Sequence, residues 1–238
     1  MRRSSLAAIA LAGLLAAVAI SWYLLGRERA FAVIAEIGVL TEGNYDRLVP
    51  QGKEIDAIYG DYVLRNDRLV AVIGNPVPRR DANSVVQDVG GAVIDLTVRD
   101  HPSDLLGAFY PGGGRFLCDD PKMAAAGKAG DDIPRGEPGM LRAMEVRFTC
   151  ASPARPAAAQ ARLTYSLKAG EPFLTVTTEM TNTSGQPIEI PIEDALRADG
   201  PSFERAPDGD TPLAWAYDRW FGQAYGVAGD GIEARVVN

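Results

Sequence analysis

The side chains able to do chemistry are few and scattered. Asp95, Asp100, His101 and Asp104 lie within ten residues, and His101 is the chain's one histidine. Carboxylates and imidazole are metal-ligand types, but this spacing matches no ligand pattern. Asp100-His101-Pro102-Ser103-Asp104 reads instead as a solvated turn. Asp208-Gly209-Asp210 offers two oxygen ligands around a glycine, without the remaining ligands of a calcium loop. Glu193 and Asp194 are adjacent acids. In an extended strand they point to opposite faces, which suits no paired acid–base chemistry. No catalytic residue, metal or cofactor is therefore assigned. Cys118 and Cys150 are the only cysteines. They form a disulfide in an oxidising compartment, or they are two buried thiols that pack as small hydrophobes. Both readings stand at this point.

The densest aromatic group is Trp215, Tyr217, Trp220, Phe221 and Tyr225, with Asp218 among them. Aromatic faces beside an acid can stack on sugar rings and bind their hydroxyls. The competing reading is packing, because aromatics dominate core energetics. Arg115, after Gly112-Gly113-Gly114, is a ligand contact or a plain loop arginine. The candidate ligand-binding set is thus Trp215, Tyr217, Trp220, Tyr225 and Arg115.

Composition sets the surroundings. The chain has 238 residues, 47% hydrophobic and 23% charged, with a formal net charge of −7. That excludes collagen-like and disordered classes. Arg2 and Arg3 precede an apolar run from Leu6 to Leu25. As a helix, a run of about 20 residues spans roughly 30 Å, the hydrocarbon thickness of a bilayer. Trp22 and Tyr23 sit near its far end, where amphipathic rings prefer the interface. Ala17-Val18-Ala19 resembles a signal-peptidase site, yet the apolar run continues past it, which favours an uncleaved anchor. The expectation is a single-pass membrane protein whose C-terminal domain is extracytoplasmic, periplasmic or at the cell surface. Without residues 1–29 the chain holds 20 basic and 30 acidic groups, a net of about −10. Such a domain suits neither nucleic acid nor an anionic bilayer surface. The bilayer through residues 6–25 is the expected partner, with carbohydrate as the candidate ligand. No protein partner is specified.

The rest of the chain must position these groups, and it reads as β-structure. Tyr62–Arg65, Asn66-Asp67 and Arg68–Ile73 form a hairpin whose second strand is apolar on both faces. Val85–Val98 holds more strand, interrupted by Gly90-Gly91. Phe109–Arg115 is a turn, and 119–138 a long surface loop. Met144, Val146, Phe148 and Cys150 alternate with polar residues. So do Leu163, Tyr165 and Leu167. Leu174, Val176, Thr178 and Met180 alternate with Phe173, Thr175, Thr177 and Glu179. Ile188, Ile190 and Ile192 continue the pattern, with Pro191 marking an edge. The fold class is mainly β: an antiparallel β-sandwich preceded by one N-terminal transmembrane helix. The expected organisation is an anchor over 1–29, a sandwich over 30–200, and an aromatic-rich segment over 201–238 that packs on it.

Val89-Gly90-Gly91-Ala92-Val93-Ile94-Asp95-Leu96-Thr97-Val98-Arg99-Asp100, then Asp104-Leu105-Leu106-Gly107, resembles the opening strands of galactose mutarotase-like (aldose 1-epimerase-like) proteins. Leu163–Leu167 and Leu174–Asn182, followed by Pro187-Ile188, resemble that family's middle hairpin. The likeness covers roughly residues 60–195 and rests on strand patterns. It implies a large β-sandwich of a kind that often binds carbohydrate. The family places a catalytic His after the middle hairpin, where this chain has Pro191-Ile192-Glu193-Asp194-Ala195-Leu196. The family's catalytic Glu belongs to a longer chain. The resemblance therefore implies a reduced or truncated relative that binds carbohydrate or another envelope component without catalysis. A sugar-modifying epimerase or lyase, and a structural module of a larger assembly, are the alternatives.

Overall fold

A computed structural model describes residues 35–53, 55–100, 102–114, 117–118, 122–125, 128–129, 143–151, 158–190, 193–198, 203–206 and 213–229. Its elements are β-strands, one short α-helix and a 3-10 turn over Pro111–Gly113, with every strand pair antiparallel. The first sheet contains β1 (Glu36–Val39), β2 (Tyr62–Arg65), β3 (Leu69–Ile73), β4 (Val93–Val98) and β5 (Leu106–Tyr110), with β12 (Ala195–Ala198) on the far edge. The helix α1 (Tyr45–Leu48) lies between β1 and β2 in the chain. The second sheet runs β11 (Thr175–Asn182), β10 (Ala159–Lys168), β9 (Ala143–Ala151), β7 (Lys122–Ala125) and β8 (Lys128–Ala129). There β6 (Leu117–Cys118) also pairs with β9. A third sheet joins β13 (Phe203–Ala206), β14 (Leu213–Asp218) and β15 (Gln223–Ala228).

The period-2 pattern decides which faces meet. Val146, Phe148, Leu163, Tyr165 and Leu167 point one way from β9 and β10 and are wholly buried. They share one apolar core with Tyr62, Leu64, Ile73, Val93 and Leu106 of the first sheet. Phe148 stands edge-on to both Tyr62 and Tyr165, with ring centroids 5.4 and 5.9 Å apart. Such pairs add to the burial term. The opposite face of β9 and β10 carries Arg147 and Arg162 into solvent.

The first sheet is covered on both sides. Its other face carries Val63, Val70, Val72, Ile94 and Ala108, packed with Leu48 of α1 and with Val86 and Val89 of the loop before β4. This explains why β3 reads as apolar throughout: all five of its residues are buried.

Several expectations change. The β2–β3 register pairs Arg65 with Val70, so the two-residue loop is Asp67-Arg68 rather than Asn66-Asp67. Neither Asn66 nor Asp67 has a positive φ. Asn66 closes the turn with its side chain instead, its Oδ1 accepting from the Arg68 and Leu69 amides at 2.7 Å. Gly90-Gly91 lies outside the strand, in the turn leading into β4. Close approach is its reason: a Cβ on Gly90 would fall 2.9 Å from the Pro76 Cα, and Gly91 has φ +74. The β3–β4 irregularity is elsewhere. Val72 pairs with Asp95 and Ile73 with Val93, leaving Ile94 as the extra residue. Residues 187–190 form no strand, since the flanking prolines remove amide donors from any ladder. Part of the expected 119–138 loop is strand, because β7 pairs with β9. The apolar run 6–25, His101 and Asp208–Asp210 lie outside the described residues. Among the described residues, no helix is long and apolar enough to cross a membrane.

Candidate functional site

Alternation along β14 and β15 sorts the aromatic segment into two faces. In register, Ala216 stands opposite Tyr225, Trp215 opposite Gly226, and Tyr217 opposite Ala224. The inner face carries Ala216 and Tyr225, both buried in the shared core, with Val227 packed against it. The outer face carries Leu213, Trp215 and Tyr217 from β14, and only Ala224, Gly226 and Ala228 from β15. On its other side β14 pairs with β13, which sets Ala206 opposite Trp215 and Glu204 opposite Tyr217, and both rings stay partly exposed. A Cβ on Gly226 would meet Leu213 at 3.4 Å, so the glycine is not demanded by crowding from Trp215.

The turn between the strands exposes two further rings. Trp220 is 79% exposed and Phe221 54%. Their backbone is held from below by buried Asp218, whose Oδ1 accepts from the Trp220 amide at 2.7 Å and the Phe221 amide at 3.1 Å. Lys53 Nζ lies 5.7 Å from the Phe221 ring centroid, within cation–π range.

Four of the five candidate ligand residues are thus on this hairpin, but not on one surface. Trp215 and Tyr217 share the outer face, and Trp220 stands at the tip three residues beyond Tyr217. Tyr225 points the other way. It is buried, and its hydroxyl accepts from the Leu105 amide at 2.8 Å and donates to Asp104 Oδ1 at 3.0 Å. Tyr225 therefore belongs to the packing of the hairpin, not to an exposed platform. Arg115 lies outside the described residues. Cys118 and Cys150 face each other across β6 and β9 and are joined by a disulfide, S–S 2.07 Å.

Sequence reasoning missed a buried acid pair. Asp104 is no part of a solvated turn: it and Asp95 are both 0% exposed, whereas Asp100 is exposed. Asp95 Oδ1 accepts from the Asp56 amide at 2.8 Å, and Asp104 Oδ1 from the Leu96 amide at 3.1 Å. The second oxygen of each carboxyl has no partner when both are counted as acceptors. A proton on Asp104, donated to Asp95, satisfies both. Burial is the first cause that raises each group above the ordinary carboxyl range. Asp95 moves to about 7 and Asp104, beside the Asp95 charge, to about 9. Gly52 closes over the pair; a Cβ there would lie 2.2 Å from the Asp104 amide nitrogen. One sequence signal was present: Asp95 is a charge inside the apolar run Ala92–Leu96.

Two other polar centres hold loops to the first sheet. Asp61 and Arg80 form a buried ion pair, Oδ2 to Nη2 2.6 Å. Asp61 also accepts from the Ile58 and Asn75 amides, and Arg80 Nη2 donates to the Asp56 carbonyl. Asn66 Nδ2 donates to the carbonyls of Lys168 and Glu171, linking the two sheets. Asp194 Oδ1 accepts from the Gly112 amide at 2.7 Å, tying the residues just before β12 to the turn that follows β5. Among the described residues, no group of three His, Cys, Asp or Glu side chains is arranged to hold a metal ion.

No protein-family model, no curated protein and no solved structure matches this chain.

Proposed function

We propose that this chain is a membrane-anchored extracytoplasmic domain, a β-sandwich of galactose mutarotase-like type, that binds carbohydrate without catalysis. The outer face of the β14–β15 hairpin is the binding surface. The observation that carries this reading is the pairing of Trp215 and Tyr217 with Gly226 and Ala224. Two rings on one side of the sheet stand opposite only Gly226 and Ala224 on β15, with Ala206 and Glu204 opposite them on β13, and both stay partly exposed. A sugar ring presents an apolar C–H face and a rim of hydroxyls, and an aromatic plane flanked by open backbone fits the first. Trp220 adds an exposed ring at the tip of the same hairpin.

The buried carboxyls support a structural role rather than acid–base work. With zero exposure, Asp95 and Asp104 meet no substrate in this conformation, and their partners are backbone amides and a core tyrosine. Asp104 ties the hairpin to the first sheet through Tyr225, while Asp95 holds the Asp56 amide.

Retention of the full-length chain on peptidoglycan sacculi, chitin and starch tests the reading. Retention on at least one matrix is expected, and Gly226→Leu should abolish it by covering the rings while leaving both aromatics in place. Equal retention of the wild type and Gly226→Leu would move the ligand away from this face.

A further inference from the structure

The second sheet ends on β11, which pairs with β10 on one side only among the described residues. The strand is eight residues long, Thr175–Asn182, with the sequence TVTTEMTN. It carries no proline, no lysine and a single charge, so its sequence lacks the residues that usually blunt an edge. Its inward side chains Val176 and Met180 pack against the shared core but stay only partly buried.

The hydrogen-bonding phase of this edge follows from one contact. The Thr183 amide donates to the Ala158 carbonyl at 2.8 Å, and these two residues are opposite in register. Amide and carbonyl directions alternate along a strand. Thr175, Thr177, Glu179 and Thr181 therefore turn their backbone groups toward β10. Val176, Thr178, Met180 and Asn182 turn theirs outward.

We propose that β11 is a self-complementary docking edge, on which a second copy of the chain pairs antiparallel about a two-fold axis through Thr178. Only registers that set outward residues against outward residues make ladder bonds. Two such registers overlap seven strand residues. One centres on Glu179 and sets that carboxylate against its own copy. The other centres on Thr178. It pairs Val176 with Met180 of the second copy and Thr177 with its Glu179, so apolar meets apolar and no like charges meet. Like charges directly opposite are destabilising, which selects the Thr178 register. An isologous contact of this kind closes on itself as a dimer. It would join the two second sheets into one continuous sheet. The proposal stands independently of any carbohydrate ligand.

Sedimentation of the full-length chain in mild detergent, over a range of concentrations, is the test. A reversible dimer is expected. Thr177 is exposed, so its substitution leaves the fold alone while changing the pair facing Glu179. Thr177→Lys should tighten the dimer about fivefold and Thr177→Glu should loosen it about fivefold, since each dimer contains two such pairs. Thr178→Pro removes only an outward amide and should give a monomer that keeps its melting temperature to within a few degrees. A chain that is monomeric throughout would overturn the proposal. So would a dimer that Thr177→Lys and Thr177→Glu leave unchanged, and that result holds even if Thr178→Pro fails to fold. A dimer weakened by Thr177→Lys would place the axis at another residue and overturn the register.

Discussion

At the scale of single residues, polar groups in the interior set how stability depends on pH. Asp95 and Asp104 have folded-state values raised from the ordinary carboxyl range to about 7 and about 9, first through burial. The folded chain therefore holds protons that the unfolded chain releases near pH 4. Stability from this pair is full below about pH 4, falls as pH rises through the window up to about 9, and then levels off. Asp104→Asn keeps the acceptor used by Tyr225 and the Leu96 amide, and supplies a permanent donor toward Asp95. Urea melts from pH 5 to pH 9 should show the decline for the wild type. About a third of it should remain for Asp104→Asn, because Asp95 releases its proton near pH 7 and Asp104 carries the decline on to about pH 9. A wild type whose midpoint rises across that window would contradict the shared proton. Asp61 gives a second case. Its removal strands Arg80, only 5% exposed, without its carboxylate. Asp61→Ala should cost about 3–5 kcal/mol in denaturant unfolding. A loss under about 1 kcal/mol would mean that water reaches the site.

At the scale of elements, the β14–β15 hairpin separates what holds from what is displayed. Tyr225 reaches across 120 residues of chain to the Leu105 amide, and Gln223 Nε2 reaches the Ser103 carbonyl. Tyr225→Phe keeps the ring in the core but leaves the buried Leu105 amide and Asp104 short of a partner. It should lower stability by about 1–3 kcal/mol. Trp220→Ser removes a ring that is mostly in solvent and should stay within about 0.5 kcal/mol of the wild type. Thermal melts of the two variants check the division; a larger loss for Trp220→Ser would place that side chain in a contact rather than at a free tip. The legibility of the sequence follows the same line. β9 and β10 were readable because one wet face and one dry face give strict alternation. β3 was readable as interior because two covered faces leave no polar residue between Leu69 and Ile73. The proline-flanked segment after β11 imitated that alternation without the amides to form a ladder. The Asp61–Arg80 and Asp95–Asp104 centres could not be read, since each joins residues that only the folded sheet brings together. A carboxyl within an apolar strand was the sole local sign.

At the scale of the whole molecule, two sheets share one core, and the first sheet has a second apolar layer over its other face. That layer rests on Asp61, Arg80 and Asp95, so the loops on that side are fixed by buried polar groups as well as by packing. Among the described residues the second sheet keeps a wet face and an edge strand, β11, paired on one side, and the third sheet carries aromatic rings on the face away from the core. The apolar and charge patterns of the sequence specified strands and their faces. Which of the aromatics would face outward depended on register, and a register slip of one residue would exchange Trp215 with Ala216. The central proposal is that this outward face binds carbohydrate. A glycan array probed with the full-length wild-type chain and with Trp215→Ala tests it most directly. The wild type should bind one family of glycans, and Trp215→Ala should lose at least tenfold in that signal while its melting temperature is kept, in line with the roughly 1.4 kcal/mol that a tenfold change represents. Undiminished binding by Trp215→Ala, or a wild type that binds no glycan, would contradict it.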